Sequence, residues 1–136
     1  MFRALPLLVF LPLVLACSET EAPQIPLSPE TLQDARWKIE YFEDDGVDAT
    51  DDFENWHLEF SPAGSINAFF NETLVATGIW RSVRDDGKDE LWISLPKIGE
   101  LEELNEDWYL IEQTETLLKL EDRGDDYLTK LHLKRI

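Results

Sequence analysis

The pattern of apolar and polar positions divides the chain into a leader, a spacer and a region of alternating segments. The leader opens with Met1-Phe2-Arg3 and continues as an apolar run through Ala4–Leu15. Residues 18–27 carry acids and prolines and show no apolar periodicity, which is typical of a flexible linker. From Arg36 onwards, apolar and polar residues alternate in short stretches, as they do in β-strands that bury one face.

Eight segments carry this strand pattern. In the first, Trp37, Ile39 and Tyr41 alternate with Lys38 and Glu40. Turn residues, mainly Gly, Pro, Asn and Asp, separate most of the segments. The predicted strands are 36–42, 56–60, 65–71, 74–83, 91–95, 108–113, 117–121 and 127–135.

Short turns between successive strands predict an antiparallel meander, and no strand–helix–strand rhythm indicates a parallel sheet. A meander with one apolar face must protect its edges or close on itself. We therefore predict an all-β fold, an eight-stranded up-and-down antiparallel barrel. A sandwich of two sheets is the alternative architecture.

Two segments break the alternation. Ser28-Pro29-Glu30 is a helix-start signal, which predicts a short N-terminal helix from Pro29 to about Ala35. Between Pro96 and Glu106, apolar residues recur at three-residue steps, which predicts a short helix or an irregular crossing.

The chain's only cysteine, Cys17, directly follows Ala16 at the end of the apolar run. This run is shorter than the ~20 residues that span a bilayer and carries a basic start, so it is typical of a secretory signal peptide. The Cys17 context resembles the lipobox of bacterial lipoproteins, in which the thiol is acylated and the cysteine becomes the first residue. The alternative is an ordinary cleaved signal with an incidental cysteine.

These features predict three parts: a signal peptide at 1–16, a tether at 17–27 and a single barrel domain at 28–136. Without residues 1–16, which contain one base and no acid, 11 basic side chains remain against 29 acidic ones, a formal charge of −18. Such a charge repels nucleic acid, so we expect no nucleic-acid partner. We expect a monomer, held on a membrane by acyl chains on Cys17.

Several short segments between about residue 35 and residue 136 carry a family resemblance. They are Trp37-Lys38-Ile39, residues 46–50, His57-Leu58-Glu59-Phe60, Gly64, Gly78-Ile79-Trp80, Asp107-Trp108 and residues 131–134. In their order and spacing the chain resembles the small lipocalin-like lipoproteins of Bacteroidetes, which implies a β-barrel on a lipid anchor. The acids after Cys17 resemble the surface-export signal of these lipoproteins, and Ser18 resembles the pattern for the outer membrane, facing the periplasm or the surface.

Five aromatic residues are candidates to line an apolar ligand pocket, since small-molecule sites are concave and mostly apolar. The alternative is that they form an ordinary hydrophobic core. Trp92 is out of phase with Leu91 and Ile93, so it should lie on the opposite face of the sheet. The five candidates are Trp37, Trp56, Phe60, Trp80 and Trp108.

Other side chains give weaker indications of chemistry. The acidic loop at 44–55 could bind Ca²⁺, but its spacing does not fit an EF-hand and a solvated loop explains it better. His57 and His132 alternate with apolar neighbours, so we expect both to be exposed on the outer face. We therefore predict no metal site, no cofactor and no catalytic residue.

Three functions follow from this sequence. The first is a non-enzymatic envelope lipoprotein that binds a small apolar molecule inside its barrel. The second is an interaction module with a filled core that works through its outer surface. The third is a hydrolase with an unrecognised site.

Overall fold

The computed structural model describes residues 28–136. The predicted signal peptide, tether and lipidation site at Cys17 lie outside these residues. The described chain begins with one short helix and contains two 3₁₀ helices and nine strands. The bounds are α1 (Pro29–Leu32), β1 (Arg36–Asp44), β2 (Val47–Asp48), a first 3₁₀ helix (Thr50–Phe53), β3 (Trp56–Phe60), β4 (Ser65–Phe70), β5 (Thr73–Asp85), β6 (Lys88–Ser94), a second 3₁₀ helix (Gly99–Leu104), β7 (Asp107–Gln113), β8 (Leu117–Arg123) and β9 (Leu128–Arg135).

The sheet closes into an antiparallel barrel of eight strands. Successive strands are neighbours from β3 to β9, and β1 pairs with both β3 and β9. The closing ladder runs from Trp37 opposite Arg135 to Asp44 opposite Thr129. β2 pairs with β1 and lies outside this ring. The predicted all-β meander barrel is confirmed, and the two-sheet sandwich is excluded because one continuous sheet closes on itself.

The predicted N-terminal helix forms, but it is shorter than the sequence indicates. α1 ends at Leu32 because Gln33 is already extended, with ψ at 160°, and Asp34 has a φ of 57°. Gln33 instead forms a bridge with Phe60. The Ser28 hydroxyl lies 2.7 Å from Glu30 Oε2 and makes no cap bond to the helix backbone.

Three hairpin turns contain pairs of residues with positive φ: Asp45-Gly46, Asn71-Glu72 and Asp86-Gly87. Two-residue turns with this geometry match the right-handed twist of the strands they join, which explains the tight up-and-down connections. The segment from Pro96 to Glu106 is the irregular crossing that the sequence predicts, and it contains the second 3₁₀ helix.

The meander gives the barrel two distinct ends. We call the end that receives α1, the β3–β4 turn and the β5–β6 hairpin the entry end. The opposite end, which carries both 3₁₀ helices, is the far end. The chain enters at the entry end, where the Ser28 N–H donates to Gln113 Oε1 at 3.3 Å.

The core fills the barrel with alternate residues of every strand of the ring, plus residues from the segments that close its ends. Leu32 comes from α1, Phe53 from the first 3₁₀ helix, and Leu101 and Leu104 from the second. The core residues are Leu32, Trp37, Ile39, Phe42, Phe53, Trp56, Leu58, Phe60, Ile66, Ala68, Ala76, Trp80, Leu91, Ile93, Leu95, Leu101, Leu104, Trp108, Leu118, Leu120, Leu131 and Leu133.

Candidate functional site

The structure brings all five predicted aromatic residues into one core. Trp37 and Trp108 are fully buried, and Trp56, Phe60 and Trp80 are at most 7% exposed. Phe60 and Trp80 pack edge to face, with ring centroids 5.6 Å apart. The core is where the sequence predicts a pocket, so the packing around these rings decides what the interior can hold.

At the entry end, two indole groups tie the wall to the segments that cover it. Trp37 Nε1 donates to the Leu32 carbonyl at 3.0 Å and so fixes the end of α1. Trp80 Nε1 donates to the Ser61 carbonyl at 2.9 Å and so fixes the β3–β4 turn. A buried indole N–H needs an acceptor, and here the closing segments supply it.

The far end is closed in the same way. Trp108 Nε1 donates to the Leu104 carbonyl at 3.0 Å, and Trp56 Nε1 donates to Glu100 Oε1 at 2.6 Å. Both acceptors belong to the second 3₁₀ helix, whose Leu101 and Leu104 are fully buried. Four tryptophans of the core therefore use their only polar atom to hold the barrel ends closed.

The core side chains of the described barrel are shielded from water. A pocket roomy enough for a water-filled or ligand-filled cavity would leave its lining accessible. Fully buried side chains instead recur across the described barrel: Trp37, Leu58, Ile66, Ala68, Leu91, Trp108, Leu118, Leu120, Leu131 and Leu133. These side chains bury their apolar surface against one another.

His57 is buried, so the predicted exposure of this histidine is wrong. It lies on the outer face, as its alternation with Trp56 and Leu58 predicts, but it is only 5% exposed. Phe69, its cross-strand neighbour, stacks on it with ring centroids 4.8 Å apart and planes 1° apart. His57 Nε2 is buried and has no hydrogen-bond partner in the described structure.

His132 is half-buried rather than exposed. Its ring lies 5.0 Å from that of Tyr41. Burial lowers the pKa of His132, and the nearby Lys119 and Lys130 lower it further. The Tyr41 hydroxyl donates to Glu43, and this bond raises the pKa of Tyr41 to about 12. The rings of His132 and Tyr41 pack together, and both pKa shifts favour the neutral side chain. This differs from a general base hydrogen-bonded to a nucleophile.

Two acidic regions lie at the far end. Asp48 Oδ1 accepts from both the Thr50 N–H and the Thr50 hydroxyl, which holds the predicted acidic loop and lowers the pKa of Asp48. Across residues 28–136, no group of three or more acidic, histidine or cysteine side chains is placed to hold a metal ion. The acidic loop is therefore organised by its own hydroxyl and backbone groups.

The second acidic region joins β7 and β8. Asp122 is 7% exposed, and burial raises its pKa. Glu106 shares a hydrogen bond with Asp122, and partial burial together with the Asp122 charge raises the pKa of Glu106. Asp122 therefore disfavours ionisation of Glu106, whereas the bond to Glu106 partly offsets the effect of burial on the pKa of Asp122.

Trp92 lies on the outer face, opposite Leu91 and Ile93, as the sequence predicts. It is half-buried, and the Arg81 guanidinium stacks over its ring at 4.3 Å. The outer face of β5, on the same wall, carries exposed apolar residues for which the sequence predicted no role. Val75 is 40% exposed, Ile79 56% and Val83 40%. They alternate with buried Ala76 and Trp80, so the period-two pattern could have identified this apolar face.

No family model, no curated protein and no solved structure matches this chain. Among residues 28–136, no helix is long and apolar enough to cross a membrane.

Proposed function

We propose that this protein is a non-enzymatic, lipid-anchored lipoprotein of the outer membrane whose filled barrel acts as an interaction module. The closed interior supports this proposal, because it leaves the outer surface as the part of the barrel available for contacts. Its aromatic side chains are at most 7% exposed, and its four indole N–H groups are bonded to the segments that cover both ends. Opening either end would break these bonds and expose apolar surface.

The sequence supports the proposed anchor. Cys17 directly follows the predicted signal peptide, and ten residues separate it from Ser28. A spacer of this length reaches at most ~36 Å when fully extended. Because the described chain begins at the entry end, the tether would keep this end of the barrel within that distance of the membrane surface.

The interior is tested by titrating the protein with fatty acids and an apolar fluorophore while tryptophan fluorescence is recorded. A filled barrel gives no saturable change in emission from its core tryptophans. Trp108→Phe serves as the control, because it removes an indole whose emission would report an occupied interior. Saturable, stoichiometric quenching would contradict the interaction module and favour a carrier.

The anchor is tested separately by palmitate labelling and membrane fractionation of the wild-type protein and Cys17→Ser. Wild-type protein should take up label and pellet with outer membranes, whereas Cys17→Ser should remain unlabelled and soluble. Identical labelling and fractionation of the two proteins would overturn the anchor and leave the barrel argument untouched.

A carrier of one small apolar ligand is the second candidate. Barrels of eight strands have an interior that side chains fill or that holds a single small molecule. Here the interior is lined by Trp37, Trp56, Phe60, Trp80 and Trp108, which is a suitable lining for an apolar molecule. Binding would require these side chains to separate, so the carrier predicts ligand-dependent loss of the indole hydrogen bonds.

A further inference from the structure

β5 extends past the beginning of β4, so its last residues form an open edge of the sheet at the entry end. β4 begins opposite Ile79, whereas β5 runs on to Asp85. On its other side, β5 remains paired with β6 from Ile79 opposite Ser94 to Asp85 opposite Lys88. Residues 81–85 are all exposed, and within the described structure no strand pairs with them on the β4 side.

The backbone groups along this open edge of β5 alternate in direction, and one hydrogen bond shows which of them are free. The Trp80 N–H points towards the β4 side, where it donates to the Gly64 carbonyl at 3.0 Å. Backbone groups alternate in direction along a strand, so the N–H and C=O groups of Ser82 and Arg84 also point to that side. An edge with unpaired groups of this kind is a template for another strand.

The sequence of this edge is complementary to itself. In an antiparallel pair of two copies centred on Val83, Ser82 of each copy lies opposite Arg84 of the other. The free N–H and C=O groups of Ser82 in one copy therefore face those of Arg84 in the other, and the two residues can exchange backbone hydrogen bonds. On the outer face, the same register places Arg81 opposite Asp85 and Val83 opposite Val83. Opposite charges directly across a ladder stabilise it, and an exposed valine gains a partner.

The geometry points to a second copy of this chain as the occupant of this edge: residues 81–85 of two molecules pair as antiparallel strands around a two-fold axis. The inference goes beyond the proposed interaction role by naming its partner and does not depend on the Cys17 anchor. It replaces the monomer expected from the sequence. The strand pair is small, so the association should be weak and transient.

The register is tested by disulfide trapping in the full chain. Cys17→Ser removes the only native thiol and the acylation site, so each added cysteine is the only one. Val83→Cys places two thiols on directly facing residues of a closely spaced pair, where Cβ separations suit a disulfide. Val75→Cys is the matched control: Val75 and Val83 are both 40% exposed. In the proposed register, the two copies of residue 75 lie roughly 50 Å apart.

We expect Val83→Cys to form the disulfide dimer at least roughly tenfold faster than Val75→Cys, because the facing thiols react at a raised effective concentration. The reaction should be run at about 0.15 M salt or above, where the negative charges of the two copies are screened. Equal rates for the two variants would overturn the proposal.

Charge reversal on the Val83→Cys background provides the second test. Arg81→Asp and Asp85→Arg each place like charges opposite one another and should slow the disulfide. The double variant restores opposite charges and should recover the rate. Because Arg81→Asp also removes the stack on Trp92, recovery in the double variant separates pairing between copies from loss of that stack. Failure of the double variant to recover, or no slowing in the single variants, contradicts the register.

Discussion

At the scale of single residues, each core tryptophan stabilises the barrel in two ways. Its ring packs in the core, and its indole N–H donates a hydrogen bond to a segment that closes one end. Trp108 shows this most directly, since it is fully buried and bonded to Leu104. We expect Trp108→Ala to lower the free energy of unfolding by about 3–5 kcal/mol, as for other large-to-small core changes. Denaturant unfolding measures this. Trp92→Ala, on the outer face, should cost much less, and equal losses would contradict the core assignment.

Replacing His57, in contrast, should stabilise the fold. Its buried Nε2 has no acceptor or donor partner in the described structure, and an unsatisfied buried polar atom costs about 1–3 kcal/mol. His57→Phe keeps an aromatic ring against Phe69 and removes the polar atoms, so it should raise the free energy of unfolding by about 1 kcal/mol. His132→Phe is the comparison on a half-buried histidine. A clear loss of stability in His57→Phe would indicate that the ring nitrogens make a bond that stabilises the fold.

At the scale of elements, alternation predicted the eight strands of the ring because each buries one face, and that pattern is local. The burial of His57 could not be predicted this way, because it comes from Phe69 on the neighbouring strand. The length of α1 depends on the positive φ of Asp34 and on the Gln33–Phe60 bridge, which are tertiary features. The closing bonds of the tryptophans also join segments distant in sequence, such as Trp56 and Glu100.

Gly78 lies at a close approach between β5 and the end of β6. A Cβ at this position would meet the Ser94 carbonyl oxygen at 2.0 Å and Leu95 Cα at 3.0 Å, so β5 and β6 would have to separate. We expect Gly78→Ala to lower the free energy of unfolding by roughly 1–3 kcal/mol or more, through overpacking against backbone that cannot move aside. Thr77→Ala, one residue earlier, is the control for ordinary loss of strand propensity. Equal effects in the two variants would show that the strands already have room for a methyl group.

At the scale of the whole molecule, the excess of acid sets the response to pH. The pKa values of Glu90, Glu106 and Asp122 are raised in the fold, so the folded state binds their protons more tightly than the unfolded chain does. The stability they contribute is fully present below their unfolded pKa values of about 4 and is lost as the pH rises through their folded values. Self-repulsion at a formal charge of −18 for residues 17–136 acts in the same direction.

The carboxyls with lowered pKa act oppositely, but in a different pH range. Arg36 lowers the pKa of Glu72 and Lys38 that of Glu40, so their stability is present above about pH 4 and is lost below it. We therefore expect the melting temperature to rise as the pH falls from about 7.5 to 5 and to fall again in stronger acid.

Calorimetry across this range distinguishes local from global charge effects. Asp122→Asn removes a buried carboxyl and the charge that raises the pKa of Glu106, so it should raise the melting temperature at neutral pH and reduce the gain between about pH 7.5 and 5. Asp126→Asn removes the same charge from an exposed position on the adjoining turn and should leave most of that gain in place. If both variants behave alike, the gain arises from net charge and not from the Glu106–Asp122 pair. Added salt would then reproduce the gain at neutral pH, because it screens exposed charges more effectively than a buried pair.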